Sequence, residues 1–193
     1  FQQTRGYIRL TRLMVKDLYT EDENGIIKAK EKYLINAYDM DLNNGELATT
    51  VRGIKSSISN AIAHDIADNG SSVAEIIDKD TGRTDMQDIS KLILVSSLGN
   101  VSNAIIGLSM QELMGYIAEP GRDLTGLKQS LDEYSTRAWY LYKDKNNRLF
   151  FKDIKNVNAE LISLVDTYSY DFAKEKIKEF LEEKFMPTQK DCY

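Results

Sequence analysis

The run RAWYLYKDKNNRLFFKD, Arg137 to Asp153, narrows the fold more than any other part of the chain. Trp139–Tyr142 and Leu149–Lys152 carry the aromatic residues that suit a pleated strand, and the polar stretch Lys143–Arg148 separates them. That pattern predicts a two-stranded hairpin with a loop longer than the tight two-residue kind. Three helical patterns stand directly before it, and three helices followed by a hairpin is the order of a winged-helix domain. The hairpin is also basic. Arg137, Lys143, Lys145, Arg148, Lys152 and Lys155 face only Asp144 and Asp153, in a chain whose net charge is −5. A basic wing on an acidic protein points to a local contact surface.

A chain of 193 residues that is 42% hydrophobic can fill one core or two small ones. Pro120 and Pro187 are the only prolines, so long helices are allowed nearly everywhere. The overall acidity argues against non-specific wrapping of nucleic acid and leaves room for a basic patch. Cys192 is the sole cysteine, so no intrachain disulfide can form, and a reducing, cytoplasmic setting is the default expectation. No apolar run approaches the ~20 residues of a membrane span, and no signal peptide is visible, so no membrane partner is expected. The chain opens on Phe1 with a helical pattern under way within a few residues, which predicts a piece of a longer protein cut near a domain boundary.

Along the chain, Thr4 to Leu18 reads as a helix. Arg5, Arg9, Arg12 and Lys16 fall within an arc of roughly 60°, at about 100° per residue, opposite Tyr7, Leu10, Met14 and Leu18. This is either a solvated basic face or a face from which one arginine reaches an anion. Tyr33–Leu42 reads as extended. Asp39, Asp41, Asn43 and Asn44 lack the glycine and distal glutamate of a calcium loop, so no metal site is expected. Around Gly53, Ile54, Ile58, Ile62 and Ile66 form an apolar ridge at four-residue spacing; Glu46–Arg52 reads as one helix and Ser56–Ala67 as the next. Its His64 is expected on the polar side as a surface or capping residue. Lys79–Thr84 is the best linker candidate.

Asp85 is placed to cap a helix to Leu98 that Gly99-Asn100 ends, with Ile89, Leu92, Ile93 and Ser96 inward. Ser109 and Glu112 form a capping box for the next helix, and Asp123 is placed to cap a third through Leu131 to Ala138. A long final helix, broken near Tyr168–Tyr170, carries Phe172, Ile177, Phe180 and Leu181 available for packing.

The chain has no glycine-rich phosphate loop, no HExxH and no GxSxG, and one histidine with one terminal cysteine leaves nucleophilic or metal-assisted catalysis little to build on. No catalytic residue is assigned, and this fragment is not expected to be an enzyme. In DNA-binding winged helices the third helix enters the major groove. Here that helix carries Asp132 and Glu133 with Lys128 as the nearby base. The better contact set is therefore the wing: Arg137, Lys143, Lys145, Asn146, Asn147, Arg148 and Lys152, giving mainly phosphate contacts or packing against a protein partner.

The runs FQQTRGYIRLTRLM, LINAYDMDL, NAIAHDIA, GYIAEPGRDL and RAWYLYKDKNNRLFFKDIKNVNAEL together resemble successive blocks of a known architecture. It is that of the large prokaryotic predicted ATPases of the AAA+ superfamily with a C-terminal domain of unknown function, some of which belong to BREX-type phage-defence clusters. The resemblance implies that an upstream ATPase domain is the first partner of this segment and that ATP and Mg belong to that longer protein, with no cofactor in this fragment. It also implies that TRGYIRL matches a lid helix, where Arg5 or Arg9 senses the nucleotide's terminal phosphates.

The expected architecture is mainly α (α+β). A helical lid-like segment over residues 1–78 with a short extended stretch leads through a linker at 79–84 to a winged-helix domain at 85–158 and a C-terminal helix and tail at 159–193. The expected role is a non-catalytic regulatory or interaction fragment of an AAA+-like ATPase that contacts DNA or a partner protein, with homo-oligomerisation open. The alternatives are a stand-alone winged-helix transcriptional regulator and a protein-interaction scaffold.

Overall fold

The computed structural model of the chain describes residues 2–99 and 105–186. Asn100, Pro187 and Cys192 lie outside them. The described residues are mainly helical with one two-stranded antiparallel sheet, as the patterns predict. They fall into two compact units, one running to Asn156 and one beginning at Val157.

Helix α1 (Gln2–Tyr19) follows from its apolar spacing. Leu10, Met14 and Leu18 are buried at four-residue intervals, and Arg5, Arg9, Arg12 and Lys16 are exposed. It packs along α2 (Gly45–Ile54), and Gly6 permits the approach, since a Cβ there would stand 2.7 Å from Ile54 Cγ1. Asn44 starts α2 by accepting the Glu46 N–H at 3.0 Å. Tyr33–Leu42, read above as extended, instead holds a 3-10 turn, Ala37–Asp39, closed by reciprocal bonds between Asn36 and Asp39. Alternate residues Tyr38, Met40 and Leu42 are buried as in a strand, but among the described residues no strand runs beside them to pair with.

Ser56–Ala67, expected as one helix, is three pieces: a 3-10 turn (Ser56–Ile58), a single α turn α3 (Ser59–Ala61) and a π-helical turn (Ile62–Ile66). Ile58, Ile62 and Ile66 are buried, as their spacing predicts. The proposed linker is also reassigned. Lys79–Thr81 is the last turn of α4 (Val73–Thr81), and Gly82 at φ 66° is its left-handed cap. Asp78 of α4 then accepts the N–H groups of Met86 and Gln87 at 2.9 and 2.8 Å, so α5 (Asp85–Ser97) is capped from the preceding helix. Asp85 is not the cap; it lies in the first turn and pairs with Arg122 at 2.7 Å and Arg83 at 2.6 Å. Ser97, one residue past the expected Ser96, is fully buried, as is Ser90. One hydrophobic core runs from Leu10 through Ile93 to Phe151, so the expected boundary at 79–84 falls inside a single compact unit.

Helices α5, α6 (Met110–Ile117) and α7 (Leu127–Arg137) precede strands β1 (Leu141–Lys143) and β2 (Leu149–Phe151), which is the winged-helix order. Ser109 and Glu112 close the capping box of α6. Asp123 does not cap α7. Its carboxylate takes the Thr125 N–H at 2.8 Å, and α7 begins after Gly126 at φ 81°. In the hairpin Leu141 faces Phe151 and Lys143 faces Leu149. Leu108 bridges the other edge of Leu149 with bonds of 3.0 and 2.8 Å. Gly107, at φ 84°, makes this approach possible, because a Cβ would overlap the Leu149 carbonyl.

The second unit holds α8 (Val157–Asp166) and α9 (Tyr170–Phe185), separated at Thr167–Ser169, close to the expected break. The Ser169 hydroxyl accepts the Phe172 N–H at 3.2 Å and starts α9. Within Val157–Met186 Ala159 is the one buried residue.

Candidate nucleic-acid interface

The wing loop takes its shape from Asp144. Its carboxylate accepts the N–H groups of Asn146 and Arg148 at 2.8 Å each, and Asn147 adopts φ 60°, a left-handed conformation that asparagine tolerates. The turn leaves Lys143, Lys145, Asn146 and Asn147 exposed. Among the described residues, neither Lys143 nor Lys145 has an ion-pair partner.

The other wing cations are engaged. Arg148 donates to the Gly107 carbonyl at 2.7 and 3.2 Å and pairs with Glu112 at 3.0 Å, which fastens the wing to the start of α6. Hydrogen bonds from Ser109, aided by Arg148, hold the Glu112 carboxyl below its usual range. Arg137 pairs with Glu133 one turn earlier on α7 at 3.0 Å. Lys152 lies over the Tyr142 ring at 4.4 Å. Of the seven wing residues chosen from sequence, four are exposed at the hairpin tip, Lys143 at the end of β1 and the rest in the loop, and three are held by the fold.

A cleft of about 420 Å³ opens beside the free ones, between the start of α6, the outer side of α7 and the hairpin. Gln111, Lys128, Asp132, Ser135, Lys143 and Asn147 supply its polar rim, and Leu131, Leu141 and Leu149 its floor. Asp132 and Glu133 are exposed on α7, so the helix that would face a major groove is acidic in place as well as in sequence. Two lysines against Asp132 leave this rim mildly cationic.

A second cluster was not visible from sequence. Asp65, fully buried in the π-helical turn, accepts the N–H of Trp139 at 2.9 Å and of Tyr140 at 2.7 Å, and contacts His64 Nδ1 at 2.6 Å. With both carboxylate oxygens already accepting amide bonds, Nδ1 is the donor in that contact. The His64 ring stacks on Trp139 at 3.8 Å, and Lys155 Nζ lies 3.7 Å from the same ring. Two groups cannot share one face at those distances, so Trp139 is sandwiched between them. The Tyr134 hydroxyl donates to the Asp65 carbonyl at 3.0 Å, and burial, then the Asp65 charge, push its pKa well above the ordinary value. His64 is thus a half-buried packing residue, not a plain surface one. Its adjacency to Asp65 is readable in sequence; the partners that give it meaning lie more than seventy residues away.

Arg5 and Arg9 lie exposed on one side of α1. Among the described residues no cluster of His, Cys, Asp and Glu is placed to hold a metal ion, and no helix is long and apolar enough to cross a membrane.

No family model, curated protein or solved structure matches the chain. The AAA+ resemblance therefore rests on the sequence blocks alone.

Proposed function

We propose that this chain is a non-catalytic winged-helix module that holds a nucleic-acid backbone through the tip of its wing, as the C-terminal part of an AAA+-like ATPase. The observation that carries the reading is the pair Lys143 and Lys145. Both are exposed and without an ion-pair partner among the described residues, Lys143 at the end of β1 and Lys145 in the loop shaped by Asp144, while Arg148 and Arg137 are committed to the fold. Cations presented this way neutralise phosphates, and the neighbouring Asn146 and Asn147 add hydrogen bonds to the backbone. The acidic α7 speaks against base reading, so binding is weakly specific. In the longer protein, nucleotide turnover repositions the module, with Arg5 or Arg9 coupling the terminal phosphates to α1; their exposure leaves them accessible for that role. A phosphate loop in the coding sequence upstream of Phe1 would support the ATPase connection, and a coding sequence without one would remove it.

A fluorescence titration of labelled duplex and single-stranded DNA at two salt concentrations tests the contact. The expected result is weak, sequence-independent binding that falls steeply with salt. The double variant Lys143→Ala/Lys145→Ala should flatten the salt dependence by about two units of log–log slope. Absence of binding at low salt would leave the cleft beside α7 as a protein-docking edge. Tight, sequence-selective binding would point to a stand-alone regulator.

A further inference from the structure

Val157–Met186 holds more than half of the exposed large apolar side chains among the described residues. Leu164 and Val165 on α8, and Ile177, Phe180 and Leu181 on α9, are each between 45% and 61% exposed. The two helices meet at their turn and barely touch along their lengths. Tyr168 and Phe172 stack at 5.5 Å and, with Val165 and Ile177, line an open groove at that turn.

We infer that α8 and α9 form a dimerisation element and that the occupant of their apolar faces is a second copy of this chain, the four helices making one bundle. This goes beyond the proposed contact of the wing with nucleic acid and does not depend on it.

Unpacked helices of this length are marginal in water, so the stripe on each must be covered for the helix to persist. Leu161 and Leu164 on α8, continued by Tyr168 in the turn, and Ala173, Ile177 and Phe180 on α9, recur at the three- and four-residue steps of a helix–helix seam. The ion pairs Lys176–Glu179 at 2.6 Å and Lys178–Glu182 at 3.7 Å are satisfied within α9. They need nothing from a partner.

Area favours a second copy. Aromatic side chains carry roughly 150–250 Å² each, so about a dozen half-exposed apolar residues offer on the order of 1,000 Å² per copy, above the ~800 Å² per partner of a standard interface. A two-fold axis brings an identical stripe of the same length and chemistry to each copy and closes the assembly. An anionic lipid surface suits the segment poorly, because Val157–Met186 carries four lysines against seven carboxylates.

Sedimentation velocity on the full chain at low and at tens of micromolar concentration tests this. The wild type should sediment as a dimer, and Ile177→Glu/Phe180→Glu as a monomer whose first unit, read by Trp139 fluorescence, unfolds at an unchanged temperature. Leu164→Lys, on the other helix, should act in the same direction, so one variant that fails to fold leaves a second reading. A monomeric wild type at the higher concentration would overturn the inference, as would a dimer that survives both variants. Flotation of monomeric wild type with neutral phosphatidylcholine vesicles would also overturn it, assigning the stripe to lipid.

Discussion

The two units of this chain use similar apolar residues to opposite ends. In the first, Ile58, Ile62, Ile66, Ile89 and Ile93 are all at or near zero exposure, and the buried Asp65 carboxylate among them accepts the Trp139 and Tyr140 N–H groups. In the second, isoleucines, leucines and phenylalanines at helical spacing stay open to solvent. Helical periodicity is present in both. What differs is whether the chain folds other elements over the stripe. The first unit brings α1, α2, α4, α5 and the hairpin onto one core, whereas α8 and α9 are two elements with too few neighbours to enclose anything. Periodicity reports that a face seeks cover; it does not say whose.

The sharpest way to break this comparison is at Asp65. Asp65→Ala strips acceptors from two amide N–H groups and the His64 ring, and should destabilise the first unit by about 4 kcal/mol. Urea unfolding followed by Trp139 fluorescence, which reports on the first unit alone, measures it. A loss under about 1 kcal/mol would mean that the hairpin is not held by the π-helical turn.

A middle-sized effect comes from pH. Burial raises the Asp78 carboxyl from 3.8 to about 6, against the opposing N–H bonds of Gln87 and Met86. The folded state therefore holds its proton more tightly than the unfolded chain does. The associated stability, about 2–3 kcal/mol, is fully present below the unfolded value and is lost as pH rises through about 6. Melting temperatures of the wild type and Asp78→Asn between about pH 4 and pH 7 should diverge in slope, the variant lacking this component. The second unit has no buried carboxylate among its described residues, so its helicity should not follow the same curve.

The smallest effect is the most discriminating. Leu161→Ala should change the unfolding free energy of the first unit by less than about 0.5 kcal/mol, while Ile93→Ala in α5 should cost about 3 kcal/mol, both read by urea titration. Equal losses would show that α8 is part of the first core.

Local chemistry made some of this fold legible. The Ser109–Glu112 box needs only residues three apart, and the hairpin needs only two aromatic runs and a polar turn, so both were readable from neighbours in sequence. Caps supplied from a distance were not. Asp85 and Asp123 look like N-caps, yet Asp78 does the work for α5, and Asp123 is consumed by its own turn. Tyr33–Leu42 reads as extended from its residue types, and Tyr38, Met40 and Leu42 do alternate in burial, but among the described residues no strand pairs with them, and a strand is defined by a neighbour. In the wing, charge was visible but commitment was not. Arg148 and Lys145 look equivalent in sequence, and only the position of Gly107 and Glu112 separates the anchored cation from the free one.

By itself, the sequence determined the class, the order of three helices before a hairpin, the acidic character of α7 and the basic character of the wing. All of these depend on residue type and on spacing within one element. Tertiary structure alone decided that the two expected domains share a core, that His64 and Lys155 clasp Trp139, and which wing cations remain for a ligand. The physical reason is range. Helix propensity, capping and turn chemistry act over a few residues, while burial and hydrogen-bond satisfaction are settled by groups that the fold brings together from far along the chain.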